Sequence, residues 1–366
     1  MTSAKGAVNR DASRPVLAVV GADSAIGHVA LHVLAMREDP WGEIRLVSCH
    51  PQEGASGIVR GEPVPIQPLT PEVFDGVAVA VFAVTPEQAL LWAPIAAERG
   101  AVVVDKSKAY RHDPDVPLVV PEVNPAQVSS RPLGIVSSPN STTLAFIDAL
   151  GALNAGWELT SVVVSSYQAA SGAGQTGIDR LYDELQIVAG DRTLGQQPGD
   201  VRRLIEHELG DGSPFPGPLA LNVLPFVGDL GGDGWTSEEE TVRLEVRKIL
   251  GKPSLRVAAT CVRVPVVTTH SVAVHASFAQ RITVEQARQA LIETPAVVVL
   301  DDPESREFPT PADIVGADPR FVGRIRQSPD DDHTIDFFMC GDNLRKGAAL
   351  NMVQVAELVC RELTSA

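Results

Sequence analysis

Residues 15–27 place a continuous apolar run, PVLAVVG, directly before a glycine-bounded turn and an amphipathic helix. A run without polar alternation suits a strand buried on both faces, and that requires a parallel sheet covered by helices. The turn reads Gly21-Ala22-Asp23-Ser24-Ala25-Ile26-Gly27, and Ile26, Val29, Ala30, Val33 and Leu34 follow at helical spacing. Glycines in such a turn let a backbone approach a pyrophosphate, and the helix N-terminus adds amide donors and a partial positive charge. A GxxSxxG turn can also be an ordinary tight turn. Gly21, Asp23, Ser24, Ala25, Ile26 and Gly27 are therefore candidate cofactor positions, with Ser48 in the next strand.

The alternation continues. Residues 44–48, 77–84, 101–105 and 133–137 read as further strands. Thr85-Pro86-Glu87-Gln88 is a helix start, with Thr85 as cap, Pro86 in the first turn and Gln88 completing a capping box. Gly100 ends that helix, and another helix opens just after Ser141. The second half has longer strands (161–168, 255–268 and 270–278), single helices, and a Gly/Pro/Asp-rich stretch at 208–234. The expected fold is an α/β Rossmann-type dinucleotide-binding domain over 15–141 and 343–366. An α+β second domain with a mostly antiparallel sheet is expected over 142–342. Residues 344–363 predict a helix returning to the first domain, and 1–14 predict a disordered tail.

Composition narrows the function. The formal net charge of −16 would repel a polyanion, so no nucleic-acid partner is expected. No run approaches the ~20 apolar residues of a membrane span, so no membrane partner is expected either. The four cysteines, Cys49, Cys261, Cys340 and Cys360, are scattered without metal spacing. They read as free thiols of a cytoplasmic protein, with no metal site.

Six strings carry a resemblance. DKSKAYRHDPDVPLVVPEVN (105–124), SSPNSTT (137–143), SSYQAASGAG (165–174), RVPVVTTHS (263–271), VGRIR (322–326) and GDNLRKGAALNMVQVAE (341–357) occur in this order. Together they resemble the aspartate-semialdehyde dehydrogenase family over nearly the whole length. The resemblance implies an oxidoreductase of amino-acid biosynthesis that interconverts L-aspartyl phosphate and L-aspartate 4-semialdehyde with NADPH. It implies a small anionic amino-acid-derived substrate and a homodimer or homotetramer. It places Ser141 at the nucleophile position beside Asn140, Gln168 where the acyl group is oriented, and His270 as the acid–base group. It gives Arg263 to the substrate α-carboxylate, Glu238 to its amine, and Arg111 and Thr241 to phosphate. Ser171, Gly172 and Asn343 fall beside the nicotinamide half.

On residue pattern alone, His270 reads as a packed strand histidine. Arg263 and His270 are seven apart in strand-like sequence, and an odd offset sends them to opposite faces. Their convergence calls for a bend, for which Pro265 is placed.

The chain also departs from the family. Ser141 stands where the family has cysteine, and a hydroxyl needs a general base at the moment of attack. Thr241 stands where the family has a phosphate-binding lysine, and Arg243 would point about 200° away on a helix. His50-Pro51 replaces the Arg-Ser that holds the NADPH 2′-phosphate, leaving NADP or NAD open. Lys106 and Lys108 add charge near Arg111. Three functions follow: a semialdehyde dehydrogenase, a catalytically inactive homologue with a binding or regulatory role, and a repurposed serine–histidine acyl-transfer enzyme.

Overall fold

The computed structural model describes residues 13–365. Residues 1–12 of the expected tail lie outside the described residues; Arg14 donates from Nε to the Pro40 carbonyl at 3.2 Å. The chain divides into two compact units. One runs to Pro139 and resumes at Ala348; the other is Asn140–Gly347.

The first unit is built on a sheet of order β3-β4-β2-β1-β5-β6-β7. These strands are β1 Leu17–Val20, β2 Ile44–Ser48, β3 Ser56–Val59, β4 Glu62–Pro68, β5 Val79–Phe82, β6 Val102–Asp105 and β7 Ile135–Ser137. Neighbours pair in parallel except β3 with β4. Side chains alternate across it. Leu17, Val19, Leu46, Val81 and Val104 face α1 (Ala25–Ala35) and the C-terminal helix Asn351–Ser365. Ala18, Val20, Val47, Phe82 and Val103 face Ala89, Ala93 and Ala96 of α2 (Pro86–Glu98). Both faces are covered, and each fully buried Val or Leu contributes about 1.5–3 kcal/mol.

Two local expectations change here. The antiparallel β3–β4 pair was not expected, because Pro63, Pro65 and Pro68 mask it in sequence; β3 is the edge strand, and Pro63 and Pro65 lie where β4 pairs with β3 alone, before its pairing with β2 begins at Ile66. The helix expected from Leu344 is split, since Arg345–Leu350 winds as a π-helix before the α-helix begins at Asn351.

The second unit has a sheet of order β11-β12-β13-β10-β8-β9. Its strands are β8 Leu159–Gln168, β9 Arg256–Arg263, β10 His270–Phe278, β11 Val297–Val299, β12 Arg320–Ser328 and β13 Asp331–Gly341. It is mostly antiparallel, with β8–β9 and β11–β12 parallel. Helices α3 Ser141–Leu144, α4 Ile147–Trp157, α5 Gly174–Val188, α6 Asp200–Leu209, α7 Ser237–Ile249, α8 Val284–Ile292 and the short α9 Pro311–Ile314 pack with it. On β8, Val162, Val164, Ser166 and Gln168 are buried, whereas Val163 and Tyr167 are exposed on the opposite face.

The strand expected over 255–268 stops at Arg263. Beyond it, the Val264 amide donates to the Gln168 carbonyl at 3.0 Å and Pro265 has no amide to continue a ladder. Thr269 takes φ +86° and turns the chain back into β10. Arg263 and His270 thus belong to different strands, and no bent strand is involved. Among the described residues, no helix is long and apolar enough to cross a membrane.

Candidate active site

Three neighbouring strand ends meet in the second unit. Gln168 on β8 is in register with Arg263 on β9. On the other side the register reaches Tyr167↔Ser271, so Gln168 and His270 are the next residues of their strands. Sheet register, not spacing along one strand, brings Arg263, Gln168 and His270 to one buried edge. Gly172 makes room for the convergence: a Cβ there would lie 2.5 Å from Arg263 Nη1 and 3.5 Å from His270 Cε1.

Asn140 delivers Ser141 to the same place. Its Oδ1 accepts from the Thr142 amide at 2.7 Å, capping α3. The Asn140 amide donates to both Glu245 carboxylate oxygens, at 3.1 and 2.9 Å. Glu238 accepts from Thr142 Oγ1 at 2.8 Å, Gln168 Nε2 at 2.9 Å and Asn140 Nδ2 at 3.1 Å. These bonds bind the Ser141 turn to the second unit. The expected boundaries at 141/142 and 342/343 accordingly lie at Pro139/Asn140 and Gly347/Ala348. A carboxylate has about four acceptor positions, so Glu238 keeps one open.

His270 is fully buried, and its Nε2 lies 3.3 Å from Ser141 Oγ. The Ala169 amide donates to its Nδ1 at 3.1 Å. Nδ1 is therefore the acceptor nitrogen, and the neutral ring carries its proton on Nε2. Burial first, then the nearby Arg263 charge, pushes the imidazole pKa down to about 3. The ring is neutral at physiological pH and donates toward Ser141. Arg263 Nη1 donates to the Ala169 carbonyl at 2.7 Å. Its other guanidinium donors take no acceptor among the described residues.

Ser171 and Asn343 are joined: Asn343 Nδ2 donates to Ser171 Oγ at 3.0 Å. Asn343 Oδ1 accepts from the Thr269 amide at 2.9 Å, fixing the turn before His270. Thr241 is half-buried on α7. Arg243 pairs with Glu240 at 2.6 Å, so its charge is spent locally. Arg111 lies in the first unit, where Nε donates to the Ser138 carbonyl and Nη2 to the Lys106 carbonyl. Lys106 Nζ reaches the Pro139 carbonyl at 3.0 Å, while Lys108 is exposed.

In the first unit, Ser24 caps α1: its Oγ accepts from the Gly27 amide at 3.0 Å and lies 2.7 Å from the Gly21 carbonyl. A Cβ on Gly27 would meet the Gly21 carbonyl at 2.1 Å, so only glycine closes this turn. Among the described residues the Ala25 and Ile26 amides have no acceptor. These two donors at a helix N-terminus suit a pyrophosphate. Ser48 Oγ donates to Asp23 Oδ2 at 2.6 Å.

Sequence reasoning missed Glu245, Thr142 and the Ala169 amide. One signal was present for Glu245, which sits among Val242, Val246 and Ile249 on the buried stripe of α7. A carboxylate in such a stripe calls for a donor.

Neither Cys261 nor Cys340 offers a ready thiolate. Burial and the Glu238 charge push the Cys261 thiol up to about 12, and burial pushes Cys340 up to about 11. At pH 8 the Cys261 thiolate fraction is then ~10⁻⁴. Iodoacetamide at pH 8 should label half-buried Cys49 well before Cys261 or Cys340. Peptide mass mapping checks this, and equal rates at Cys49 and Cys261 would refute it.

Residues 16–131 match the family model described as semialdehyde dehydrogenase, NAD binding domain. Residues 150–346 match semialdehyde dehydrogenase, dimerisation domain. The chain is 40% identical to the aspartate-semialdehyde dehydrogenase of Corynebacterium melassecola, over 94% of this chain and 99% of that one. It is 36% identical to the Bacillus subtilis aspartate-semialdehyde dehydrogenase, over 93% and 96% respectively. Among solved structures, aspartate semialdehyde dehydrogenase II of Vibrio cholerae, complexed with ASA, superposes with a TM-score of 0.86 at 34% identity. That match covers 95% of this chain and 99% of the other. A nicotinamide-dinucleotide-binding domain and a dimerisation domain are thus both present. The chain belongs to the aspartate-semialdehyde dehydrogenase family.

Proposed function

We propose that this protein binds an L-aspartate 4-semialdehyde-type substrate together with NADP or NAD, and that Ser141 holds turnover far below what a cysteine there would support. The observation that carries this reading is the Ser141–His270 contact of 3.3 Å, with Nδ1 occupied by the Ala169 amide. Arg263 takes the substrate carboxylate with its free guanidinium donors. Glu238 offers its remaining acceptor position to the amine. Gln168 positions the Thr142–Glu238 cluster beneath Ser141, since its Nε2 already donates to both partners. The Gly21–Gly27 turn of the first unit holds a pyrophosphate on the Ala25 and Ile26 amides. A nicotinamide dinucleotide, when bound, supplies hydride donation or acceptance.

Proton transfer sets the limit. Attack by Ser141 requires a base to remove its proton. Nε2 already carries a proton, so His270 donates to Ser141 Oγ and cannot deprotonate it. The same fact speaks against a serine–histidine acyl-transfer enzyme and favours, as the second reading, a binding homologue without turnover. A homodimer or homotetramer through the second unit belongs to the main reading. The dimerisation-domain match and the exposed Val163 and Tyr167 on the open face of β8 support it.

The test is calorimetric titration with L-aspartate 4-semialdehyde, paired with phosphate-dependent reduction of NADP⁺ or NAD⁺. Wild type should bind and turn over slowly. Arg263→Lys should bind about tenfold or more weaker, because a point charge replaces a planar fork. Absent binding in wild type, or unchanged binding in Arg263→Lys, would overturn the reading.

A further inference from the structure

The C-terminal end of β2 is where a fold of this kind meets the adenine-side ribose. An acid there accepts from the 2′-hydroxyl of NAD, whereas a nearby arginine accommodates the 2′-phosphate of NADP. Here the last residue of β2 is Ser48, which is buried and carries no charge. The carboxylate comes instead from the loop after β1. Ser48 Oγ donates to Asp23 Oδ2 at 2.6 Å and accepts from the His50 amide at 3.1 Å. The serine thus clips the Asp23 side chain to the strand end. Asp23 is otherwise exposed, and among the described residues its Oδ1 has no donor and no lysine or arginine pairs with it. The strand end presents an uncompensated negative charge with one open acceptor atom. Cys49, His50 and Pro51 follow and add no permanent positive charge.

We infer that Asp23, held by Ser48, is a specificity-determining residue that selects NAD over NADP. The inference rests on the nicotinamide-dinucleotide reading above and assigns the side of the cofactor it left open. Oδ1 accepts from a ribose 2′-hydroxyl, which is neutral and donates. A 2′-phosphate brings negative charge with no donor to meet the carboxylate. Like charges a few ångströms apart near a surface are worth about one to two powers of ten in binding.

The experiment is calorimetric titration of the full chain with NAD⁺ and with NADP⁺, in wild type, Asp23→Asn and Ser48→Ala. Thermal melts confirm that each variant is folded, which exposed Asp23 allows. Wild type should bind NAD⁺ at least tenfold tighter than NADP⁺. Asp23→Asn should shrink that ratio about tenfold or more, chiefly through tighter NADP⁺ binding, and higher salt should narrow the wild-type ratio. Ser48→Ala should shrink it less, because the carboxylate stays but loses its clip. Equal or tighter NADP⁺ binding in wild type, or an unchanged ratio in Asp23→Asn, would overturn the role of Asp23 while leaving dinucleotide binding intact. If neither dinucleotide binds wild type or Asp23→Asn, the cofactor reading itself fails, and this inference with it.

Discussion

Replacing Ser141 with cysteine should raise phosphate-dependent turnover of L-aspartate 4-semialdehyde by about 10²–10⁴-fold, the size of a missing base-catalysed proton transfer. A thiol near neutral pH is already a few per cent thiolate and needs no base at the moment of attack. The His270 tautomer suits such a nucleophile: its Nε2–H points at the atom in position 141 and stabilises a sulfur anion. It does nothing to ionise a hydroxyl. At the start of α3, Asn140 fixes the turn that carries this atom, its Oδ1 accepting from the Thr142 amide. The substitution changes one atom and leaves the Asn140–Thr142–Glu238–Gln168 bonds in place, since none of them uses Ser141 Oγ. Binding of substrate should therefore change little while kcat rises. Initial rates in wild type, Ser141→Cys and Ser141→Ala check this. Equal rates in Ser141→Cys and Ser141→Ala would show that the defect lies elsewhere, with Thr241 the first place to look.

What could be read from sequence divides by range. The sheet of the first unit was legible because its strands are buried on both faces and leave unbroken apolar runs such as Leu17–Val20 and Val79–Phe82. The β3–β4 edge was not, because its prolines break the run that would announce it. In the site, Ser141, Gln168, Arg263 and His270 were named through a family resemblance rather than through geometry. Spacing argued against Arg263 and His270 converging, since it treated them as residues of one strand. They converge because β8 lies between their two strands, and pairing across a sheet is not written in local spacing. The protonated nitrogen of His270 is further from view. It depends on the amide of Ala169, 101 positions earlier, and a backbone donor carries no residue type to recognise.

That buried imidazole also predicts a steep loss of stability in acid. The folded-state pKa of His270 lies near 3, while an unfolded chain holds histidine near 6.5. Between these values the unfolded state binds a proton that the folded state refuses. Stability therefore rises with pH across that window: it is full above about 6.5 and falls as pH drops toward 3. At about 1.4 kcal/mol per pH unit, the whole window is worth about 4–5 kcal/mol. Burial drives the effect and Arg263 sharpens it, because an imidazolium there would face a guanidinium with little water to screen the pair. Urea unfolding of wild type and His270→Gln between pH 4 and pH 7 separates this from the carboxylates that also titrate. His270→Gln will differ in absolute stability at pH 7, since the bond from the Ala169 amide is lost, so the slope is the quantity to compare. Its slope should be shallower than wild type by about 1 kcal/mol per pH unit. Parallel slopes would mean that His270 takes up a proton in the folded protein. The site would then hold an imidazolium beside Arg263, and the tautomer argument for a silent Ser141 would fall with it.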